Sequence, residues 1–313
     1  MHRVMKLLTD NIAFMHRCMP HINEWRTCKV STLAPRVAAL AGELFNASNI
    51  MCNEAVASEH WDYLFAVDSA SCSQYDVLSR LAVSNGQPPD RTLCCAGSGM
   101  GFHGFKNRNW EASRGNIHLS AYLEPGKEIP GGSAGFIITA AIATLQTVES
   151  FELQGAVPAI KWVNDILVQG AKVGGVLARL QTQGRITQSA IVGIGLNVEQ
   201  TPSVERDPYV PRVAALSDFA EAPGNCCYPD AFPRLIKFLG CNLESLCQGN
   251  FARLLDIYRR RSLIMGRQVT ICEDNDKSSS DVIATGMVES IGPALELFIK
   301  DHPNAVTKGR LIL

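Results

Sequence analysis

Apolar and polar positions change their period several times along the chain, and each change marks an element. Ala134 to Val148 is almost continuously apolar and too long for a strand, which predicts a buried helix. Asn116 to Leu123 alternates residue by residue, as a half-buried strand does. Two apolar runs, Ala159 to Val168 and Lys172 to Leu180, flank a turn at Gly170 and predict a hairpin; Ser189 to Val198 reads as a further strand. Upstream, Trp61 to Val67 and Thr92 to Ala96 read as strands. Gln74 to Ala82 reads as a helix that a serine of the Ser71-Cys72-Ser73 turn can cap. Asn85 to Asp90 and Gly97 to Arg108 are loops, and Thr201 to Pro229 is loop-rich with several prolines. Ala231 to Leu246 and Phe251 to Arg261 carry helical spacing.

The pattern changes at both ends. Residues 1–55 are loosely patterned and read as a helical extension, with the best spacing at Ala34 to Leu44. Met1 to Leu8 is mildly basic and amphipathic, which predicts a surface helix; a mitochondrial presequence is the alternative. From Met265 onward, short strands at Gln268 to Ile271, Ile283 to Val288, Leu295 to Ile299 and Arg310 to Leu313 are split by turns, the signature of a small β-barrel. The expected organisation is an N-terminal extension over 1–55, a main domain over 56–262 and the barrel over 263–313. The one low-complexity tract is Ser278-Ser279-Ser280.

Composition narrows the classes. At 313 residues and 46% hydrophobic content the chain can bury a sizeable core. A formal net charge of −1 gives no basic field for nucleic acid, so none is expected as a partner. No apolar run approaches the ~20 residues that cross a bilayer, so no membrane partner is expected either. Eleven cysteines include the vicinal pairs Cys94-Cys95 and Cys226-Cys227 but no CxxC. They read as reduced thiols used as small core residues, which places the protein in the cytoplasm.

Candidate chemistry concentrates in three stretches. Gly99, Gly101 and Gly104 form a literal GxGxxG, but a dinucleotide site needs a helix to start there, and Phe105 to Trp110 leads instead to a strand. The glycines still let backbone N–H groups face an anion, with Lys106 and Arg108 beside them. Asn164 and Asp165 lie in an apolar strand, where a carboxylate must be paired or metal-bound. Lys161, four residues earlier, would share its strand face and is the structural partner; a Mg²⁺ or phosphate contact oriented by Asn164 is the functional reading. Lys172 follows the turn and precedes Gly174-Gly175, while Gly193 and Gly195 sit on a neighbouring strand. Glycine weakens a strand unless something approaches closely, so these pairs outline a slot for a slender ligand or a tight seat against the Ala134 to Val148 helix. His103 and His118 lack metal-ligand spacing, no Gly-x-Ser-x-Gly elbow occurs, and no thiol nucleophile signature is present.

Taken together, these blocks resemble the biotin protein ligases of the biotin/lipoate ligase superfamily. Lys161-Trp162-Val163-Asn164-Asp165-Ile166 is similar to the family's Lys-Trp-Pro-Asn-Asp block, and Gly170 to Leu177 to its Gly-x-Lys-(Ile/Leu)-(Ala/Gly)-Gly-(Ile/Val)-Leu block. Gly193 to Val198 resembles its Gly-Ile-Gly-(Ile/Leu)-Asn-Val strand, and Arg108-Asn109-Trp110 with Gly115 to Ser120 its Arg-x-Trp…Gly-Asn-Leu-Tyr-Leu-Ser stretch. The resemblance implies an α+β, class II synthetase-like fold: a central mixed β-sheet flanked by helices, with a C-terminal SH3-like barrel. It implies an ATP- and Mg²⁺-dependent ligase that forms biotinyl-5'-AMP and passes biotin to a lysine of a biotin carboxyl carrier domain.

Residue by residue, the resemblance makes Lys172 and Asp165 catalytic, with Mg²⁺ near Asp165. It assigns the nucleotide to Lys106, Arg108, Lys161, Asn164 and Asn197. It assigns biotin to Ser71, Cys72, Ser73, Ser98, Gly101, His103, Gly104, Phe105, Trp110, Gly174, Gly175, Gly193 and Gly195. Departures are specific. The family loop usually reads Gly-Arg-Gly-Arg-Arg-Gly-Arg, whereas Gly101 to Arg108 offers only Lys106 and Arg108 as cations, and Phe105 falls at or near an arginine that helps retain the activated acid. Cys72 replaces threonine and Val163 replaces proline. Two rivals are a lipoate or octanoate ligase, whose block usually reads Gly-Arg-Asn-Asp, and a non-catalytic biotin-binding regulator.

Overall fold

The structure, a computed structural model, describes residues 3–84, 86–204, 208–210, 212–222, 224–274 and 281–312. The Ser278-Ser279-Ser280 tract, Met1-His2 of the expected surface helix, Asn85 of the expected loop and Leu313 of the expected last strand lie outside these residues. In chain order the elements are β1 (Arg3–Thr9), α1 (Ile12–Cys18), β2 (Arg26–Lys29), α2 (Pro35–Leu44), β3 (Asn49–Ser58), β4 (Tyr63–Ala70), α3 (Gln74–Ala82), β5 (Thr92–Gly99), β6 (Ile117–Leu123) and α4 (Gly132–Glu149). They continue with β7 (Pro158–Lys161), β8 (Asp165–Val168), β9 (Ala171–Gln183), β10 (Ile186–Leu196), α5 (Tyr228–Cys247), α6 (Phe251–Arg261), β11 (Gln268–Cys272), β12 (Val282–Ile291), β13 (Leu297–Ile299) and β14 (Arg310–Ile312).

Ten strands form one mixed sheet in the order β2-β3-β1-β4-β5-β6-β10-β9-β8-β7. β4 runs parallel to both β1 and β5, and the other neighbours are antiparallel. α4 packs with α5 and α6 on one face. Its buried threonines are satisfied within the helix, Thr139, Thr144 and Thr147 each donating to the carbonyl four residues back at 2.7–2.8 Å. The opposite face carries a second core from α2 and α3, with Leu40, Val77 and Leu78 against Phe65, Tyr122 and Ile191.

The helical extension expected over residues 1–55 is instead part of this sheet. Arg3–Thr9 is a strand between β3 and β4, not a surface helix. Leu7 faces one core and Leu8 the other, both fully buried. A strand covered on both faces loses its period-two signature, which is why the apolar pattern misleads. The spacing at Ala34 to Leu44 does mark a helix, α2. Leu8→Ala is expected to lower unfolding stability by about 2–5 kcal/mol, because the cavity lies in a strand that cannot collapse; denaturant titration measures it.

The hairpin expected around Gly170 also differs. Its first strand is two, β7 and β8, paired antiparallel with Lys161 opposite Asp165. Trp162, Val163 and Asn164 make the turn between them, with a cis peptide at Trp162-Val163. This turn is clamped from outside: Trp162 Nε1 donates to the Leu295 carbonyl at 2.7 Å, and Tyr258 Oη to the Val163 carbonyl at 2.7 Å. The C-terminal strands form a separate antiparallel sheet in the open order β13-β12-β11-β14, the expected barrel strands without recorded closure among the described residues. No helix of the described residues is long and apolar enough to cross a membrane.

Candidate active site

β10 divides its side chains between two environments. Val192, Ile194 and Leu196 enter the core that contains α4, while Ile191, Gly193 and Gly195 face the other way. Register carries that second face across the sheet. Gly195 lies opposite Gly175 of β9 and His118 of β6, and Gly175 lies opposite Asp165 of β8. Gly193 lies opposite Leu177 and Ser120. These residues floor a cleft of about 220 Å³. Its walls come from the 102–111 loop, the start of α3, Pro202, Val204, Val210 and Val213, and Arg310 of the second sheet.

Lys172 and Asp165 occupy one end of this floor. Lys172 Nζ lies 2.6 Å from Asp165 Oδ1, and the two side chains are 22% and 18% exposed. The pair lies over Gly175, where a Cβ would be in ordinary contact with both, 3.4 Å from Asp165 Oδ1 and 3.6 Å from Lys172 Nζ. The lysine backbone is fixed on both sides: its N–H donates to the Arg212 carbonyl at 2.9 Å, and its carbonyl accepts from Ala214 at 3.0 Å. Asn164 is fixed by a two-way exchange with Val176, accepting the Val176 N–H at 3.0 Å through its carbonyl and donating Nδ2 to the Val176 carbonyl at 2.6 Å. Asn197 is 1% exposed. Its Nδ2 donates to the Ala214 carbonyl at 3.0 Å, and its Oδ1 has no protein partner. A buried acceptor left unmatched at a cleft wall invites a ligand donor.

Aromatic rings rest on the glycines. A Cβ at Gly195 would lie 2.3 Å from Trp110, and one at Gly193 would lie 3.0 Å from Tyr75. The expected slot is therefore bounded by two rings lying on backbone. Trp110 is aimed by His118: Trp110 Nε1 donates to His118 Nδ1 at 3.2 Å, and His118 Nε2 donates to the Ser113 carbonyl at 3.0 Å. Burial pushes the His118 pKa down to about 4, so the ring stays neutral and keeps one acceptor and one donor. Lys172 Nζ stands 5.9 Å from the Trp110 ring centre.

The glycine-rich loop doubles back on itself, with Gly99 bridging to Ala112 and His103 to Asn109. Lys106 and Asn107 sit at φ +54° and +57°, a turn at the loop's tip. His103 ties the loop to α3, its Nε2 lying 2.9 Å from Asp76 Oδ1 and its Nδ1 3.1 Å from the Gly104 carbonyl. Partial burial opposes the charged ring, but the Asp76 carboxylate and the Gly104 carbonyl outweigh it, so His103 titrates above the ordinary histidine range. The charged pair contributes in full below about pH 6.5 and is lost as pH rises through the raised value. With Asp76 46% exposed, solvent screens much of it. Asp76→Asn is expected to lower the His103 pKa, as followed by proton NMR of the imidazole.

Of the residues singled out in the sequence, Lys172, Asp165, Asn164, Asn197, Ser73, His103, Gly104, Phe105, Arg108, Trp110, Gly175, Gly193 and Gly195 border the cleft. Others do not. Gly174 faces the opposite side, where a Cβ would meet the Gly195 carbonyl at 2.9 Å and Thr144 of α4 at 3.5 Å; it is a packing glycine. Lys106 turns to the second sheet, its Nζ 2.8 Å from the Asp274 carbonyl and 3.2 Å from the Asp274 carboxylate. Lys161 does not pair with Asp165; it is 7% exposed and donates to the Tyr209 carbonyl. Ser71, Cys72, Ser98 and Gly101 lie outside the lining, and Cys72 is exposed. Sequence reading missed Tyr75, Phe102, His118 and Arg310 as wall residues. Tyr75 stands just beyond the Ser71-Cys72-Ser73 turn, after Gln74, and that nearness was its available signal.

The chain is similar to several known proteins. Residues 84–197 match the Biotin/lipoate A/B protein ligase family. The bifunctional ligase/repressor BirA of Bacillus subtilis is 35% identical over 136 residues, 41% of this chain and 41% of that protein. The chain thus spans about two-fifths of that relative's length. The biotin–[acetyl-CoA-carboxylase] ligase of Mycobacterium tuberculosis is 28% identical over 221 residues, 69% of this chain and 76% of that protein. Among solved structures, the biotin protein ligase of Aquifex aeolicus in complex with biotin and ATP superposes with a TM-score of 0.61 at 19% identity, covering 79% of this chain and 97% of that one. The segment from 84 to 197 that supplies β5, β6, β9, β10 and the Lys172–Asp165 pair is thus similar to the biotin/lipoate A/B protein ligase family, and the fold is that of the solved biotin protein ligase.

Proposed function

We propose that the protein is an ATP-dependent biotin protein ligase that forms biotinyl-5'-AMP and transfers biotin to a lysine of a biotin carboxyl carrier domain. The observation that carries this reading is Lys172, held 2.6 Å from Asp165 over Gly175 at the end of a glycine-floored cleft. Attack of a carboxylate on a phosphate is opposed by like charge, and a fixed ammonium beside both groups offsets it. Arg108 on the cleft wall adds a second cation. Asn197, with its unmatched Oδ1, offers an acceptor to an adenine amino group. Trp110 and Tyr75 supply flat apolar walls for the bicyclic acid. The name of the Mycobacterium tuberculosis relative supports biotin as the acid.

For Mg²⁺, Asp165 is the residue that would hold it. Among the described residues no three His, Cys, Asp or Glu side chains gather as a metal cage. Bound at Asp165, Mg²⁺ would neutralise phosphate charge. The loop tied down by His103 then covers the adenylate and limits its hydrolysis. In this reading the boundary near residue 262 separates the ligase unit from the second sheet. Eleven cysteines, six of them buried as core residues, suit the reducing cytoplasm.

The test offers the protein α-labelled ATP with biotin, lipoate or octanoate, then an isolated carrier domain. Adenylate formation with biotin, followed by transfer to the carrier lysine, is the expected result. Adenylation of lipoate or octanoate in preference to biotin would overturn the choice of acid, and labelling with none would overturn the reading altogether.

A further inference from the structure

A second constellation lies away from the cleft, where the segment between β3 and β4 rests on α5. Trp61 Nε1 donates to the Ile236 carbonyl at 2.9 Å, and the Arg91 guanidinium donates to the Glu59 carbonyl at 3.0 Å. The chain is thereby fixed on both sides of His60. Gly240 makes room for the imidazole, since a Cβ there would lie 2.5 Å from the ring. So seated, His60 places Nε2 3.3 Å from Cys241 Sγ and Nδ1 3.3 Å from the Glu244 carboxylate. Cys241 and Glu244 are three apart on one helix and therefore share a face. The carboxylate of Glu59 stands further off, 4.0 Å from Nε2.

This is the arrangement of nucleophile, base and orienting carboxylate. Glu244 accepts from Nδ1–H, which leaves the Nε2 lone pair facing the thiol. The base is sheltered, with its side chain 13% exposed, whereas Cys241 is open to solvent. We propose that Cys241 is a reactive thiol, with His60 as its base and Glu244 orienting the ring, and that it takes up low-molecular-weight disulfides. In the exchange, Nε2 accepts the thiol proton as Sγ attacks one sulfur of the disulfide. A new S–S bond forms on Cys241 as the old one breaks, and the departing thiolate takes the proton from His60. One disulfide is consumed and one is formed, so no further oxidant enters.

Cys72, the other exposed thiol, provides an internal standard. The intact, reduced protein is treated with glutathione disulfide near neutral pH, and peptide mass mapping follows both sites over time. Cys241 is expected to react about tenfold faster than Cys72 or more, and His60→Asn is expected to remove that excess. Glu244→Gln keeps ring and thiol and is expected to slow Cys241 by about threefold. If circular dichroism shows His60→Asn unfolded, Glu244→Gln decides alone. Equal rates at the two thiols, or a folded variant as fast as the parent chain, would overturn the proposal.

Discussion

Lys172→Ala is expected to slow biotinyl-5'-AMP formation by about 10²–10³-fold while leaving the chain folded. The two consequences separate because the lysine contributes unequally to them. As an ion pair it is partly exposed, and its aliphatic stem lies over Gly175. Removing it leaves Asp165 without its 2.6 Å partner, but water reaches the carboxylate, so the penalty falls near the ~1–3 kcal/mol of an unsatisfied polar group. In the proposed reaction the same ammonium meets charge that develops between acid and phosphate, inside a cleft where little else is cationic. The other cations of its lining are Arg108 and Arg310, both on the walls, and Lys106 is drawn off to Asp274. Lys172→Arg is not expected to restore the rate, since a planar guanidinium cannot occupy the seat of a compact ammonium over a glycine. Single-turnover assays with labelled ATP measure the effect, and an alanine variant as fast as the parent chain would sink the assignment.

Much of this site was legible because its chemistry is local in sequence. Asn164, Asp165, Lys172 and Gly175 fall within twelve residues, and a polar pair beside an apolar run followed by paired glycines has few structural explanations. What failed was partner choice. Lys161 four residues before Asp165 looked like its ion pair because the run was read as one strand. The Trp162 to Asn164 turn breaks that run, and antiparallel register brings Lys172 in instead. Lys106 failed differently: its partner Asp274 is 168 residues away, just past the end of β11, and no local pattern announces it. His103 looked isolated for the same reason, since Asp76 is 27 residues upstream.

The fold divides along the same line. α4 was readable because a helix buried on nearly all sides must be apolar throughout, and β6 because its alternation is intact. β1 was not, because a strand in the middle of a sheet with helices on both faces carries apolar residues at consecutive positions, Leu7 and Leu8. Such a run cannot be told from one face of a helix by period alone. The glycines of β10 hold the clearest lesson. Their spacing of two residues announces a common face, and that face proves to be the cleft's, while Gly174, on the neighbouring strand, turns to α4.

Gly195→Ala follows from that division and is expected to weaken biotin binding by tenfold or more, about 1.4 kcal/mol or above. The added methyl would lie 2.3 Å from the Trp110 ring, far inside contact distance. The backbone of β10 cannot yield, being hydrogen-bonded to β9 on one side and β6 on the other. Trp110 must therefore leave. Its departure breaks the bond to His118 Nδ1, and a buried neutral imidazole loses its donor. The cleft loses a wall, and Lys172 loses the ring 5.9 Å from its ammonium. Overpacking of this kind typically lowers stability by about 1–3 kcal/mol, less than the chain's whole margin, so the variant should fold. Gly174→Ala offers the contrast. Its methyl would press on the Gly195 carbonyl and on α4 rather than on Trp110, so its loss is expected in stability, with the ring left in place. Titration calorimetry with biotin and tryptophan fluorescence of the two variants separate the cases. Unchanged biotin affinity in Gly195→Ala would mean that Trp110 is not a wall of the binding site.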